Sequence, residues 1–78
     1  MMKINKKYVV MIGDFVEKTI KHGLDYRVTY STIITLSTGE KIKLFVEGLF
    51  GKKPTYSDKL LVSNKLSNRL NSILMDNL

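Results

Sequence analysis

Two periods of apolar residues run along this chain, one helical and one extended. Within 4–22, the residues Ile4, Tyr8, Met11, Ile12, Phe15, Val16, Thr19 and Ile20 share one half of a helical wheel. Lys6, Lys7, Gly13, Asp14, Glu17, Lys18 and Lys21 fill the other half, Val9 lies at the margin and only Val10 is misplaced. That spacing predicts an amphipathic helix over 4–22, with Asn5 as N-cap and Gly23 as a left-handed C′ residue. A competing reading makes 7–12 a strand and starts a short helix at Asp14, whose spacing to Glu17 matches a capping box.

The period then changes to two. Leu24, Tyr26, Val28, Tyr30, Ile34 and Leu36 are apolar, and Asp25, Arg27, Thr29, Ser31, Thr35 and Ser37 between them are polar. Ile42, Leu44 and Val46 repeat the parity against Lys41, Lys43 and Glu47, so strands are expected over 24–36 and 40–47. For both apolar sets to share a face, even residues must oppose even ones, which rules out a two-residue loop at Thr38 and Gly39. A three-residue loop satisfies the parity, with Ser37 and Thr38 central in a type I turn and Gly39 as the left-handed bulge residue. The register is then Leu36 opposite Glu40, Ile34 opposite Ile42, Thr32 opposite Leu44 and Tyr30 opposite Val46. Ile33 and Phe45 fall on the other face, beside Arg27, Lys41 and Lys43.

Gly48, Gly51 and Pro54 punctuate the exit, and Thr55 with Asp58 has capping-box spacing, so a second helix is expected over 56–76. Its apolar arc holds Tyr56, Leu60, Val62, Leu66, Leu70, Ile73 and Leu74. Asp58, Asn64, Lys65, Asn68, Arg69, Asn71 and Ser72 lie opposite, with Leu61 and Met75 as apolar exceptions. The expected fold class is α+β: a single small domain over 1–78, in α-β-β-α order, with a long antiparallel β-hairpin packed by two amphipathic helices.

Composition narrows the chemistry. The chain has 78 residues and no Cys, so neither a disulfide nor thiolate metal ligation reinforces a core that buries only about 60 to 65% of the unfolded surface. A homodimer is one candidate means of adding to that core. The apolar run 8–12 is too short for a signal peptide or a membrane span, and the expected location is cytoplasmic. The only His, His22, falls at a predicted helix end, where a cationic residue is ordinary. Asp14, Glu17, Asp25, Glu40, Glu47, Asp58 and Asp76 are scattered, without a pair whose environments would separate their pKa values. The reading is therefore non-enzymatic, with no cofactor and no metal.

The net charge of +6 points to nucleic acid or an acidic protein as partner. All the cations but Arg27 and Arg69 are lysines, which lack the rigid fork that reads guanine. Gly48 and Gly51 followed by Lys52 and Lys53 faintly resemble a phosphate cradle, but the P-loop spacing is absent, and Leu49 and Phe50 stand where a KH-type loop carries polar residues. Candidate protein-binding residues are Ile33, Phe45, Leu61, Met75, Asn64 and Asn68. Candidate nucleic-acid-binding residues are Lys52, Lys53, Lys65 and Arg69. The expected function is a small basic binding module, of the kind phages or mobile elements use as an inhibitor or regulator, docking on a host nucleic-acid-handling protein complex. Direct DNA or RNA binding through the region of the second helix is the alternative.

Overall fold

The computed structural model describes residues 9–75, with Met75 described in its backbone alone. Ile4, Asn5, Lys6, Lys7, Tyr8, Asp76 and the Met75 side chain, all invoked above, lie outside the described residues. Four strands and one helix follow in the order β1 (Val9–Ile12), β2 (Val16–His22), β3 (Asp25–Leu36), β4 (Lys41–Phe50) and α1 (Tyr56–Met75). β1 and β2 lie end to end along one side of β3, and β4 pairs with the other side; all pairings are antiparallel.

The predicted helix over 4–22 is not present in the described part of that span, and the α-β-β-α order is overturned. Its physical reason is partly local. Val9, Val10, Ile12, Val16, Thr19 and Ile20 are β-branched and lose side-chain freedom in a helix, while Gly13 weakens a helix interior by about 1 kcal/mol. The rest is tertiary, because β3 offers a ladder along its whole length, from Leu36 opposite Val9 to Asp25 opposite His22. The competing reading fares only half better: 9–12 is extended, but so is 16–22, where it too expected a helix. Gly23 has φ 66° and Leu24 a negative φ, and the two form the two-residue loop between paired His22 and Asp25. That is the type II′ pattern, with Gly at the first central position.

The β3–β4 hairpin has the register that parity demands: Tyr30 opposite Val46, Thr32 opposite Leu44 and Ile34 opposite Ile42. At its turn the Leu36 N–H donates to the Glu40 carbonyl at 2.9 Å, and Gly39 takes φ 89°. α1 starts from the expected capping box. The Asp58 N–H donates to Thr55 Oγ1 at 3.3 Å, and the Thr55 N–H donates to Asp58 Oδ2 at 3.0 Å. The Thr55 N–H, then the Thr55 hydroxyl, which also donates to Asp58 Oδ2 at 3.0 Å, hold the Asp58 carboxyl below its ordinary range.

α1 packs on the even-numbered face of β3 and β4. Val62, Leu66, Leu70 and Ile73 are buried on α1, as are Val28 and Ile34 on β3, and Val9, Leu36, Ile42, Leu44 and Leu74 pack around Ile34, Leu70 and Ile73. At about 1.5–3 kcal/mol per buried aliphatic side chain, this interface is the principal source of stability. The helix approaches most closely at Gly48, where an added Cβ would stand 2.9 Å from Val62 Cγ2. Two members of the expected apolar arc are not core residues: Tyr56 and Leu60 are exposed, as is Leu61 beside them.

Candidate functional site: the open face of the sheet

One helix covers one face, and among the described residues nothing covers the other. Residues paired across an antiparallel ladder share a face, so the register defines the uncovered surface. Met11, Val16, Lys18, Ile20 and His22 come from the edge strands, Arg27 to Thr35 at odd positions from β3, and Lys41 to Leu49 at odd positions from β4. Six large apolar side chains stand on it: Met11, Val16, Ile20, Ile33, Phe45 and Leu49. They are exposed by between 42% (Ile20) and 67% (Leu49), which is far from the 0% of Ile34 and Leu66 across the sheet. Lys18, Lys41 and Lys43 are interspersed, while Arg27 pairs with Glu47 at 3.7 Å.

At Ser31 and Thr29 the central strand presents small side chains between larger neighbours, which leaves a trough over these two rows. Across the row at Ser31 the side chains run Val16, Ser31, Phe45, large on each side and small in the middle; the next row runs Lys18, Thr29, Glu47. The trough ends at the break between β1 and β2, in a recess of about 320 Å³ lined by Gly13, Asp14, Val16, Ser31, Ile33 and Lys43. Two bonds shape that break. The Gly13 N–H donates to the Ile33 carbonyl at 2.7 Å, and the buried Thr32 hydroxyl donates to the Gly13 carbonyl at 2.6 Å. An added Cβ on Gly13 would sit 3.2 Å from that Ile33 carbonyl, so the residue's lack of a side chain lets the chain hug β3 here.

The opposite flank of β2 is tied to the helix. Glu17 accepts from the Tyr30 hydroxyl at 2.9 Å and from the Thr19 hydroxyl at 3.0 Å, and its Oε1 lies 2.9 Å from Lys59 Nζ. The Lys59 contact, then the Tyr30 bond, hold the Glu17 carboxyl below its ordinary range. Burial, then Glu17 itself, push the Tyr30 phenol up.

Both edges of the sheet are guarded. The edge formed by β1 and β2 is interrupted by a bulge between Val9 and Met11 and by the break at 13–15, features that spoil a template for another strand. On β4 the ladder's alternation, set by the Leu36–Glu40 bond, turns odd-numbered backbone groups outward. The Phe45 carbonyl is one of them, and Arg69 donates to it from α1 at 2.9 Å.

The sequence-derived candidates separate accordingly. Ile33 and Phe45 lie on the open face and become the middle of a larger apolar surface. Leu61, Asn64 and Asn68 are exposed on α1, away from it. Lys52 and Lys53 precede α1, whereas Lys65 lies about 14 Å along the helix axis from Tyr56, and Arg69 is engaged with Phe45, so these four cations form no single patch. Met11, Val16, Lys18, Ile20 and Leu49 were missed as site residues. For β2 the signal was present in the alternation of Val16, Lys18 and Ile20, eclipsed by the helical wheel.

Among the described residues no group of His and acidic side chains could hold a metal ion, and no helix is long and apolar enough to cross a membrane. No protein-family model, no curated protein and no solved structure matches the chain.

Proposed function

We propose that the protein is a non-enzymatic docking module whose open sheet face binds an acidic protein surface. The observation that carries this reading is the set of six exposed apolar side chains in register on one face, interleaved with cations, in a sheet whose edges are guarded. Exposed apolar surface of that extent on a small domain is characteristic of an interaction site. A strip about 34 Å long and about 15 Å wide offers roughly 500 Å² to a partner, at the low end for a specific complex and well short of an obligate dimer. The face carries four cations, Lys18, Arg27, Lys41 and Lys43, against three carboxylates, Asp25, Glu47 and, at the recess, Asp14, and this small cationic excess favours an acidic partner over a second copy of the same face. A phage or mobile-element inhibitor or regulator acting on a host nucleic-acid-handling complex is the class of role that fits such a surface.

Site-specific photocrosslinking in the native host tests the reading. A photoreactive residue at Phe45 or Ile33 should capture one acidic protein, and the same group at Asn64 or Asn68 should not. Phe45→Asp should abolish binding to the purified partner while leaving the circular dichroism unchanged. Crosslinks from the helix positions alone, or to nucleic acid alone, would replace this reading with one centred on α1 or on direct nucleic-acid contact.

A further inference from the structure

Resting on that docking reading, we propose that the trough over Ser31, with the recess at the break between β1 and β2, is a socket for a single bulky apolar side chain. The partner would carry that side chain on an acidic segment whose carboxylates meet Lys41 and Lys43. Three features converge on this place and on no other part of the open face. Ser31 is the small residue in a row whose neighbours are Val16 and Phe45, so a side chain entering there meets apolar walls on both sides. The recess adds depth where the edge strand leaves the ladder, with Ile33 beyond Ser31 along β3. The lysines stand at the same end, Lys43 opposite Ile33 and Lys41 opposite Thr35, while Arg27 and Glu47 neutralise one another further along; Asp14 lines the recess from the edge-strand side, across β3 from Lys43, so an acidic segment is directed to the β4 side. A buried anchor ringed by polar contacts is the usual distribution of energy in a small interface.

The chemistry is testable before any natural partner is known. The probes are synthetic decapeptides of Glu and Ser with a central Phe, Leu or Ala, and a Lys and Ser counterpart of the Phe peptide, titrated into the ¹⁵N-labelled full chain. The Phe and Leu peptides should bind about tenfold or more tighter than the Ala peptide, shifting the amides of Val16, Ser31, Ile33 and Lys43, and the Lys peptide should not bind. Ser31→Leu, which fills the trough, should erase the advantage of Phe over Ala, while Lys43→Glu should weaken every acidic peptide. The wild-type series stands by itself should either variant fold poorly. Equal affinity for the Phe, Leu and Ala peptides would overturn the socket and leave acidic docking standing. Failure of every acidic peptide to perturb the open face, or binding at Leu60 and Leu61 instead, would overturn both.

Discussion

The hydroxyl of Thr32 is predicted to hold the break in the edge strand, and Thr32→Val isolates it. Thr32 is 1% exposed and faces α1, and its hydroxyl reaches the Gly13 carbonyl at 2.6 Å. Valine keeps the shape and removes the donor. A hydrogen bond of this kind contributes about 0.5–1.5 kcal/mol net, and a carbonyl left without its donor costs up to about 1–3 kcal/mol where water cannot replace it. Gly13 is only half-buried, so the carbonyl has partial access to water and the expected loss is about 1–2 kcal/mol. For a domain of this size that lowers Tm by roughly 4–16 °C. Thermal and urea unfolding followed by circular dichroism give the total. Hydrogen exchange gives the location: the Gly13 amide, bonded to the Ile33 carbonyl at 2.7 Å, should lose protection more than amides in the β3–β4 ladder. Thr32→Ser serves as control, since it keeps the donor and loses only a buried methyl. A Thr32→Val protein as stable as the wild type, with Gly13 exchange unchanged, would refute the assignment.

Other expected outcomes follow from single contacts. Gly48→Ala places a methyl 2.9 Å from Val62 Cγ2 and should cost about 1–3 kcal/mol in urea unfolding, with partial recovery in the Gly48→Ala, Val62→Ala double variant; simple additivity would argue against the clash. The folded-state pKa of Glu17 lies below its ordinary value near 4.5, so its contribution is present above that pH and lost as pH falls through the folded value. Glu17→Gln should therefore lower Tm at pH 7, by less than about 1 kcal/mol of stability because the site is partly exposed, and the gap should narrow as the carboxylate is protonated at acid pH. A gap that stays constant as the pH is lowered would mean the carboxylate charge is not responsible. Arg69→Met removes the guard on the Phe45 carbonyl and should give concentration-dependent self-association in sedimentation velocity, with a small stability loss; a variant sedimenting like the wild type would show that Lys41 and Lys43 suffice at that edge.

The hairpin and α1 were legible because each is specified locally and redundantly. Even parity on both sides of the turn admits one short loop, and Gly39 is the residue able to take φ 89° there. Thr55 and Asp58 fix the start of α1 whatever it packs against. Residues 9–22 had no such redundancy. A half-wheel is a permissive template, and Val16, Lys18 and Ile20 fit a helix margin as well as a strand. Even Gly23 misled, since a positive φ serves a helix C′ position and a type II′ turn alike. Pairing with β3 decided the matter, and that contact is between segments which sequence patterns treat separately.

The pairing of 9–12 and 16–22 with β3 also reshapes the site. With 4–22 read as a helix, Ile33 and Phe45 were an isolated apolar pair awaiting a cover. Once 9–12 and 16–22 are strands, that segment widens the face, adding Met11, Val16 and Ile20 to the exposed row. The same rearrangement explains why a sheet with so much apolar surface need not polymerise. Its weakest points are the edges, and these carry a bulge, a break and an arginine, while the six apolar residues of the open face lie where another strand cannot extend the ladder. Guarded edges beside an open face are what a surface requires if it is to be selective for one partner rather than sticky toward many.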